Sequence, residues 1–152
     1  MKIIAHRANI NGPSSKNENT TYQIEKCIKL GYDVEIDIRV IKGKFYLGHD
    51  KATQIIDKTI LNNIKEHSWI HCKNLEAITF FSNASTKFNY FWHENDSYTL
   101  TSKGYIWAYP GEKLSTSCIC VMPELNNSHS EFSYFREMKI AGICTVYPNL
   151  FT

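Results

Sequence analysis

Short apolar segments alternate with helical patterns along the chain, and this order restricts the possible folds more than any other feature. Seven segments have the length and composition of strands: residues 3–5, 34–38, 69–73, 88–93, 105–109, 118–122 and 142–146. Strand–helix alternation predicts a parallel sheet covered by helices. A complete barrel of this kind has about 250 residues, so a chain of 152 residues is expected to have short or missing helices.

Local signals place the helices and one hairpin. Thr20 and Gln23 form a T-x-x-Q capping box before an apolar stripe that ends at Gly31. Lys42–Gly43 predicts a tight turn after the second strand. Further helical patterns, of which the first also fits two short turns, cover residues 55–64, 75–81 and 132–141. We therefore expect an α/β fold, a compact and incomplete (β/α)8 TIM-type barrel with mostly parallel strands, in which residues 1–152 form a single domain.

Charge and cysteine content restrict the partners and the compartment. The net charge of +2 is too small to indicate a nucleic acid or an anionic membrane as partner. No apolar stretch approaches transmembrane length, and residues 1–5 are too short for a signal peptide. The five cysteines form no C-x-x-C pair, which favours free, mostly buried thiols. The sequence therefore predicts a cytoplasmic protein without a nucleic-acid or membrane partner, and leaves its oligomeric state open.

The second predicted strand carries two carboxylates on one face. Side chains alternate along a strand, so Glu35 and Asp37 point to one side while Val34, Ile36 and Ile38 point to the other. Two acids on a packed strand are costly without a positive partner, and a divalent cation is the simplest one, because Mg²⁺ and Ca²⁺ prefer carboxylate oxygens. The alternative is a solvated strand face, but the aliphatic neighbours favour the packed strand.

Basic and titratable residues lie at the ends of three predicted strands or hairpins. His6 and Arg7 end the first strand, His49 ends the hairpin after the second, and Lys73 ends the third. Functional groups collect at the carboxyl ends of strands in α/β sheets and barrels. Histidine carries protons near neutral pH, while arginine and lysine hold phosphate oxygens. Each residue alone is more typical of a surface position, but together with the acid pair they predict metal-assisted cleavage of a phosphodiester.

Four short motifs resemble, in order and spacing, the signature of the glycerophosphodiester phosphodiesterase-like family, a group of PLC-like phosphodiesterases in the TIM-barrel superfamily. The motifs are Ile4–Ala5–His6–Arg7, Glu18–Asn19–Thr20, Glu35–Ile36–Asp37 and Gly48–His49–Asp50. The resemblance implies a TIM-type barrel, with His6 and His49 as the acid–base pair. It also implies Glu35 and Asp37 as ligands of Mg²⁺ or Ca²⁺, and Arg7 as a phosphate contact.

The third strand departs from the family pattern. The family has Glu-x-Lys there, with the glutamate as a metal ligand, whereas this chain has His71–Cys72–Lys73. We expect Lys73 to contact the phosphate and His71 to be the third metal ligand, with the alternative that His71 binds no metal. Imidazole prefers Mn²⁺ or Zn²⁺ over Ca²⁺. The sequence therefore predicts one divalent metal ion and leaves its identity open.

Residues 83–124 show no match to the family pattern and contain candidate site residues of their own. His93, Glu94 and Asp96 follow a predicted strand, where they either complete the metal site or form a polar loop. Trp107 and Tyr109 share a strand face. We assign Trp107 to substrate binding, by stacking on a sugar or glycerol group, against the alternative of a core aromatic residue.

These expectations lead to one main function and two alternatives. The main prediction is a phosphoric diester hydrolase that acts on a small glycerophosphodiester or a related sugar phosphodiester. The first alternative is a binding module that keeps the phosphate pocket without turnover, favoured by the missing carboxylate at position 71. The second is a phospholipase, which ranks last because the sequence shows no basic amphipathic helix.

Overall fold

The computed structural model describes residues 1–83, 88–128 and 131–152, which form one sheet and four helices. The ten strands are β1 (Lys2–Ala5), β2 (Asp33–Ile41), β3 (Lys44–Leu47), β4 (Gln54–Ile56), β5 (Ser68–Cys72), β6 (Asn89–Phe91), β7 (Tyr98–Leu100), β8 (Ile106–Ala108), β9 (Cys118–Val121) and β10 (Gly142–Thr145). The helices are α1 (Thr21–Lys29), α2 (Lys58–Ile64), α3 (Leu75–Asn83) and α4 (Phe132–Glu137).

Seven of the strands run parallel, in the order β6–β5–β2–β1–β10–β9–β8. They coincide with the seven predicted strand segments. The β3–β4 hairpin extends antiparallel from β2, and β7 pairs antiparallel with β8. The prediction of an incomplete TIM-type barrel with mostly parallel strands is confirmed.

The sheet is not a closed ring within the described part of the chain, and Ser102 joins its two ends. The backbone N–H of Ser102 donates to the carbonyl of Tyr90 on β6 (2.8 Å), and the Ser102 hydroxyl accepts from the Tyr90 N–H (3.0 Å). Ser102 lies just after β7, so these hydrogen bonds take the place of an eighth parallel strand. This arrangement explains how 152 residues produce a barrel that usually requires about 250.

The alternating side chains of β2 separate the packed core from the site, as predicted. Val34, Ile36 and Ile38 are fully buried on the outer face, in a cluster that includes side chains of α1, α2 and α3. Burial of each such side chain contributes about 1.5–3 kcal/mol to the free energy of unfolding. Glu35 and Asp37 point into the barrel. The helices therefore anchor β2 through its aliphatic face and leave its acidic face for the barrel interior.

Aromatic side chains fill the lower part of the barrel interior. The rings of Phe91 and Trp107 lie 4.6 Å apart between centroids, and those of Trp69 and Trp107 lie 5.9 Å apart. All three residues are buried in one cluster with aliphatic side chains of β1 and β9. This packed layer forms a rigid floor beneath the carboxyl ends of the parallel strands.

Two predicted helices differ from the structure. Residues 55–64 divide into β4 and α2, because Asp57 ends the strand and its carboxylate accepts a hydrogen bond from the Thr59 N–H (2.7 Å), as a helix N-cap does. The helix predicted over 132–141 ends at Glu137, because Met138 takes an extended conformation as the chain turns toward β10. By contrast, the Thr20 cap and the Lys42–Gly43 turn are confirmed.

The cysteines are free and buried, as predicted. Burial raises the pKa of Cys27, Cys72 and Cys120 to about 12, so these thiols stay protonated at neutral pH. No helix in the described segments has the length and apolar content required to cross a bilayer.

Candidate active site

The carboxyl ends of the parallel strands surround a cavity of about 240 Å³. His6 and Arg7 follow β1, Glu35 lies on β2, and His71 lies on β5. His49 enters the same cavity from the loop after β3. Trp107 on β8 lines the cavity too, so the cavity brings together six of the eight predicted site residues, from elements far apart in the sequence.

Glu35 and Asp37 lie side by side in the barrel, 2% and 0% exposed. Burial, followed by the charge of Asp37, raises the pKa of Glu35 well above its usual value. Burial would also raise the pKa of Asp37, but His71, His49 and Arg7 outweigh it and hold that pKa below its usual value. Asp37 therefore keeps a buried negative charge, which favours a cation nearby.

Two partners fix the carboxylate of Asp37. The amide of Asn19 donates to Oδ2 (2.8 Å), and its carbonyl oxygen accepts from the Asp37 backbone N–H (3.0 Å). The Nε atom of Arg7 lies 3.5 Å from the same Oδ2. One oxygen of Asp37 is thus occupied, while Oδ1 faces His71.

Arg7 has an unusual backbone conformation that serves the acid pair. Its φ of 51° and the φ of 60° at Ala8 lie in the left-handed region, which residues other than glycine rarely adopt. In this conformation the Arg7 N–H donates to Oε2 of Glu35 (2.9 Å). The Arg7 guanidinium also lies 3.4 Å from Glu18. Held by Glu18 and Asp37 from two sides, the guanidinium is fixed at the cavity wall.

His71 lies between the acid pair and the aromatic floor. Its Nδ1 lies 3.0 Å from Oδ1 of Asp37 and 3.9 Å from Oε1 of Glu35. Its ring stacks on Phe91 (5.1 Å between centroids) and on His93 (4.6 Å). Among the described residues, Nε2 of His71 is a buried atom without a hydrogen-bond partner, and Oδ1 of Asp37 has no hydrogen bond beyond its 3.0 Å contact with Nδ1 of His71. A bound cation would satisfy such atoms.

Asp37, His49 and His71 each offer one ligand atom, and these atoms lie within 4.8 Å of one another. One carboxylate oxygen and two imidazole nitrogens suit a divalent transition metal such as Mn²⁺ or Zn²⁺. The grouping includes two of the predicted ligands, Asp37 and His71. It contains His49 in place of Glu35, whose Oε2 already accepts the Arg7 N–H. The residues present thus fit a metal ion.

His49 is held by the loop around it. Gly48 has a φ of 136°, and a Cβ there would lie 2.0 Å from the carbonyl oxygen of Lys51, so the turn requires glycine. The Nδ1 of His49 lies 2.7 Å from the Asp50 carboxylate, and its Nε2 lies 3.3 Å from Nζ of Lys73. This arrangement fits a ring with its proton on Nδ1 and its lone pair on Nε2. Lys73 thereby reaches the site, although it does not line the cavity.

His6 is the second predicted proton carrier. Burial, followed by the charge of Arg7, lowers its pKa to about 3, so the ring is neutral near pH 7. Its Nε2 lies 3.9 Å from Oε2 of Glu35. His93 also has a lowered pKa, about 4, because of burial and the neighbouring His71.

Arg39 and Asn19 hold the site together, and the sequence analysis assigned neither a role. The Arg39 guanidinium donates to the backbone carbonyls of His49 (2.6 Å), Asp50 (3.1 Å) and Lys73 (3.3 Å). It therefore ties the loop after β3 to the end of β5. The sequence contains a signal for it, because Arg39 continues the i, i+2 series of Glu35 and Asp37 on β2.

Trp107, predicted to bind substrate, is 5% exposed and lies between Phe91 and the cavity. It is part of the packed floor and still contributes to the cavity wall. Tyr109 lines the cavity as well and is 53% exposed. His93, Glu94 and Asp96 complete the wall on the β6 side.

The fold and the site define an α/β barrel with polar, partly charged groups gathered at the carboxyl ends of its parallel strands. No family model and no curated protein matches the sequence. Among solved structures, the chain is similar to a proposed glycerophosphodiester phosphodiesterase from Galdieria sulphuraria, with a TM-score of 0.56 and 13% identity. The similarity covers 99% of this chain and 95% of that chain. At this level of identity it shows a shared fold.

Proposed function

We propose that this protein is a metal-dependent phosphodiester hydrolase that acts on a glycerophosphodiester or a related sugar phosphodiester. The pairing of Asp37 with His71 carries the proposal: Nδ1 of His71 lies 3.0 Å from Asp37 and 3.9 Å from a second carboxylate, Glu35. The other ring nitrogen, Nε2, is buried without a hydrogen-bond partner among the described residues. The shared fold with the Galdieria protein and the site at the strand ends support it.

Asp37 and His71 would hold the metal ion, with Glu35 or His49 as a further ligand. A divalent cation at this position would polarise a phosphoryl oxygen and offset its negative charge. Arg7 and Lys73 bind the remaining phosphate oxygens, Arg7 through its planar fork and Lys73 as a point charge. The acid pair keeps Arg7 at the wall, so its side chain loses little conformational entropy when phosphate binds.

The two histidines move the protons of the reaction. His6 would accept a proton from the attacking hydroxyl group, and Glu35, whose Oε2 lies 3.9 Å from its Nε2, would stabilise the imidazolium that forms. When protonated at both nitrogens, His49 would give its Nε2 proton to the departing alcohol, while Asp50 holds the ring through Nδ1. The attacking group is either water or a neighbouring hydroxyl of the substrate, and the second case would release a cyclic phosphate.

The test is a hydrolysis assay on glycerophosphocholine, glycerophosphoethanolamine and bis-(p-nitrophenyl) phosphate. Each substrate is offered with Mg²⁺, Ca²⁺, Mn²⁺ or Zn²⁺, and with a chelator. Metal-dependent release of the alcohol supports the proposal. Metal and phosphodiester binding by calorimetry without any turnover would contradict it and identify the protein as a binding module. That alternative has one specific observation in its favour, the imidazole of His71 at the place of a carboxylate.

His71→Glu is expected to change the preferred metal. A carboxylate at this position supplies oxygen where the wild type supplies nitrogen, and oxygen ligands favour Mg²⁺ and Ca²⁺ over Mn²⁺ and Zn²⁺. The measurement compares the four ions by calorimetry on both proteins, followed by the hydrolysis assay. Identical ion preferences in the two proteins would show that His71 is not a ligand. His67→Glu is the control, because it makes the same replacement beside Asp33, at the end of the barrel opposite the site.

Arg39→Lys is expected to lower kcat by about 10–100-fold with little change in KM, because misplacing a catalytic group by about 1 Å can cost about 100-fold. An ammonium group cannot donate in a fixed fork to the carbonyls of His49 and Lys73 together. Arg136→Lys is the matched control, since Arg136 donates to the carbonyls of Leu150 and Thr152, far from the cavity. Equal decreases in kcat in both variants would mean that Arg39 only stabilises the fold.

A further inference from the structure

A second pocket opens at the amino end of the barrel, opposite the candidate active site. Its wall includes the first residues of β1, β2 and β6, which are Lys2, Asp33 and Asn89. Tyr105, just before β8, lines it as well. Each of these residues lies two positions before an inward-facing side chain, so alternation points it into the barrel. The aromatic floor of the candidate active site lies between the two pockets.

Asn89 is the residue of this pocket that points to a ligand. It is 4% exposed, and its Oδ1 is a buried atom without a hydrogen-bond partner among the described residues. An unpaired buried acceptor destabilises a protein, and most such atoms bond to protein or water. The pocket therefore has a place for a hydrogen-bond donor that the described part of the chain does not supply.

Two lysines bring N–H groups to the same pocket. Lys2 donates to Oδ2 of Asp33 (3.1 Å), and its ammonium group has three N–H donors. Nζ of Lys103 lies 3.7 Å from Oε2 of Glu66, which is longer than a hydrogen bond. The two lysine side chains are 42% and 35% exposed, so a ligand oxygen can reach both ammonium groups.

The carboxylates of the pocket balance the charges of the two lysines. Both oxygens of Asp33 have partners, since Oδ2 also accepts from Nε1 of Trp69 (3.1 Å) and Oδ1 lies 3.2 Å from Nδ1 of His67. The side chain of Glu66 is 67% exposed and largely solvated. A ligand with one positive and one negative group preserves this balance of charge, whereas a simple anion or cation disturbs it.

We propose that this pocket binds a small α-amino acid in its zwitterionic form. The ammonium group donates to Oδ1 of Asn89, and the carboxylate accepts from Lys2 and Lys103. The pocket volume of about 140 Å³ is about ten times the roughly 10–15 Å³ that one water requires. It is below the range of about 300–1,000 Å³ typical of drug-sized ligands, so the amino acid has a side chain as small as that of alanine.

An NMR titration with three ligands tests both halves of this site on the intact protein. Alanine is compared with propionate, which lacks the ammonium group, and with ethylamine, which lacks the carboxylate. Alanine is expected to bind about 10–100-fold more tightly than either, because each comparison removes charge-assisted hydrogen bonds. The signals of the Asn89 side-chain amide and the Trp69 indole N–H should shift on binding. Equal affinities for the three compounds, or no binding of alanine, would overturn the proposal.

Asn89→Leu removes the unpaired oxygen and keeps a side chain of similar size. The ligand-free variant should keep or raise its Tm, because an apolar group replaces an unpaired acceptor. Alanine binding should weaken about 10–100-fold, to the level of propionate. Asn63→Leu makes the same replacement at an exposed position on α2 and should leave binding unchanged. A preference for alanine over propionate that survives in Asn89→Leu would overturn the ammonium contact.

Lys103→Met tests the carboxylate half and decides the matter if Asn89→Leu does not fold. Methionine keeps the apolar stem of the side chain and removes only the ammonium group. The preference for alanine over ethylamine should fall about 10-fold, while the preference over propionate remains. Lys26→Met, at an exposed position on α1, is the control. Equal preferences in both lysine variants would contradict the carboxylate contact. No step uses hydrolysis, so these outcomes are independent of the proposed function.

Discussion

His49→Ala is expected to lower kcat for phosphodiester hydrolysis by about 10²–10⁴-fold, the usual contribution of a positioned general acid or base. His49 connects Asp50, 2.7 Å from Nδ1, with Lys73, 3.3 Å from Nε2. Its removal breaks this chain and leaves the leaving alcohol without a proton donor. The measurement is kcat on bis-(p-nitrophenyl) phosphate and on glycerophosphocholine. The first of these has an acidic leaving group that needs little protonation. The decrease in kcat should therefore be smaller on bis-(p-nitrophenyl) phosphate than on glycerophosphocholine.

The control and the metal titration separate two roles of His49. His67→Ala removes another imidazole that lies beside a carboxylate, Asp33, at the opposite end of the barrel, and it should leave kcat near the wild-type value. Mn²⁺ binding to His49→Ala is measured by calorimetry. Retained binding with lost turnover supports the proton-transfer role. Parallel loss of both would contradict it and make His49 the third ligand in the group formed with Asp37 and His71.

The periodicity of β2 explains why the framework of the fold could be predicted. Strict alternation places every second side chain on one face, and the aliphatic set Val34, Ile36 and Ile38 has to be buried. The same rule applies to β5, where Ile70 and Cys72 pack outward while Trp69 and His71 point inward. Because parallel strands share the direction of their carboxyl ends, the convergence of the site residues follows from the order of elements.

Long-range hydrogen bonds explain what could not be predicted. The contacts of Arg39 go to backbone carbonyls of His49 and Lys73, 10 and 34 positions along the chain. Every residue has a backbone carbonyl, so no pattern of residue types in the sequence predicts which carbonyl Arg39 contacts. Asn19 is a similar case: it was included in a motif, but its two hydrogen bonds to Asp37 depend on where the loop after β1 meets β2.

Local energetics also limited the prediction of element ends. The apolar content of residues 55–64 fits a helix, yet residues 54–56 pair with β3 because the Leu47 carbonyl and the Thr53 side chain turn the chain back on it. The prediction of the metal ligands was limited in a similar way. Sequence spacing grouped Glu35 with Asp37, whereas the loop geometry set by Gly48 brings His49 to Asp37 and His71.

Asp37→Asn is expected to abolish the stabilisation of the protein by metal. In the wild type, Mn²⁺ at about 100 times its Kd should raise the free energy of unfolding by about 2.7 kcal/mol, which corresponds to a rise in Tm of roughly 5–10 °C for a domain of this size. Asp37 is fully buried and is the carboxylate common to the ligand group predicted from the sequence and the candidate group in the structure. Its loss should weaken metal binding by more than about 100-fold, because even outer-shell partners of a metal contribute about 10–100-fold.

Asp33→Asn is the matched control for this measurement, since it makes the same replacement on the same strand at the opposite end. Asp33 accepts hydrogen bonds from Lys2 Nζ and Trp69 Nε1, both 3.1 Å long, so its replacement should lower the Tm of the metal-free protein. The rise in Tm on adding Mn²⁺ should nevertheless remain, because the ligand atoms are untouched. A metal-induced rise that survives in Asp37→Asn would contradict the site, whereas its loss in that variant alone would assign the metal to the carboxyl end of β2.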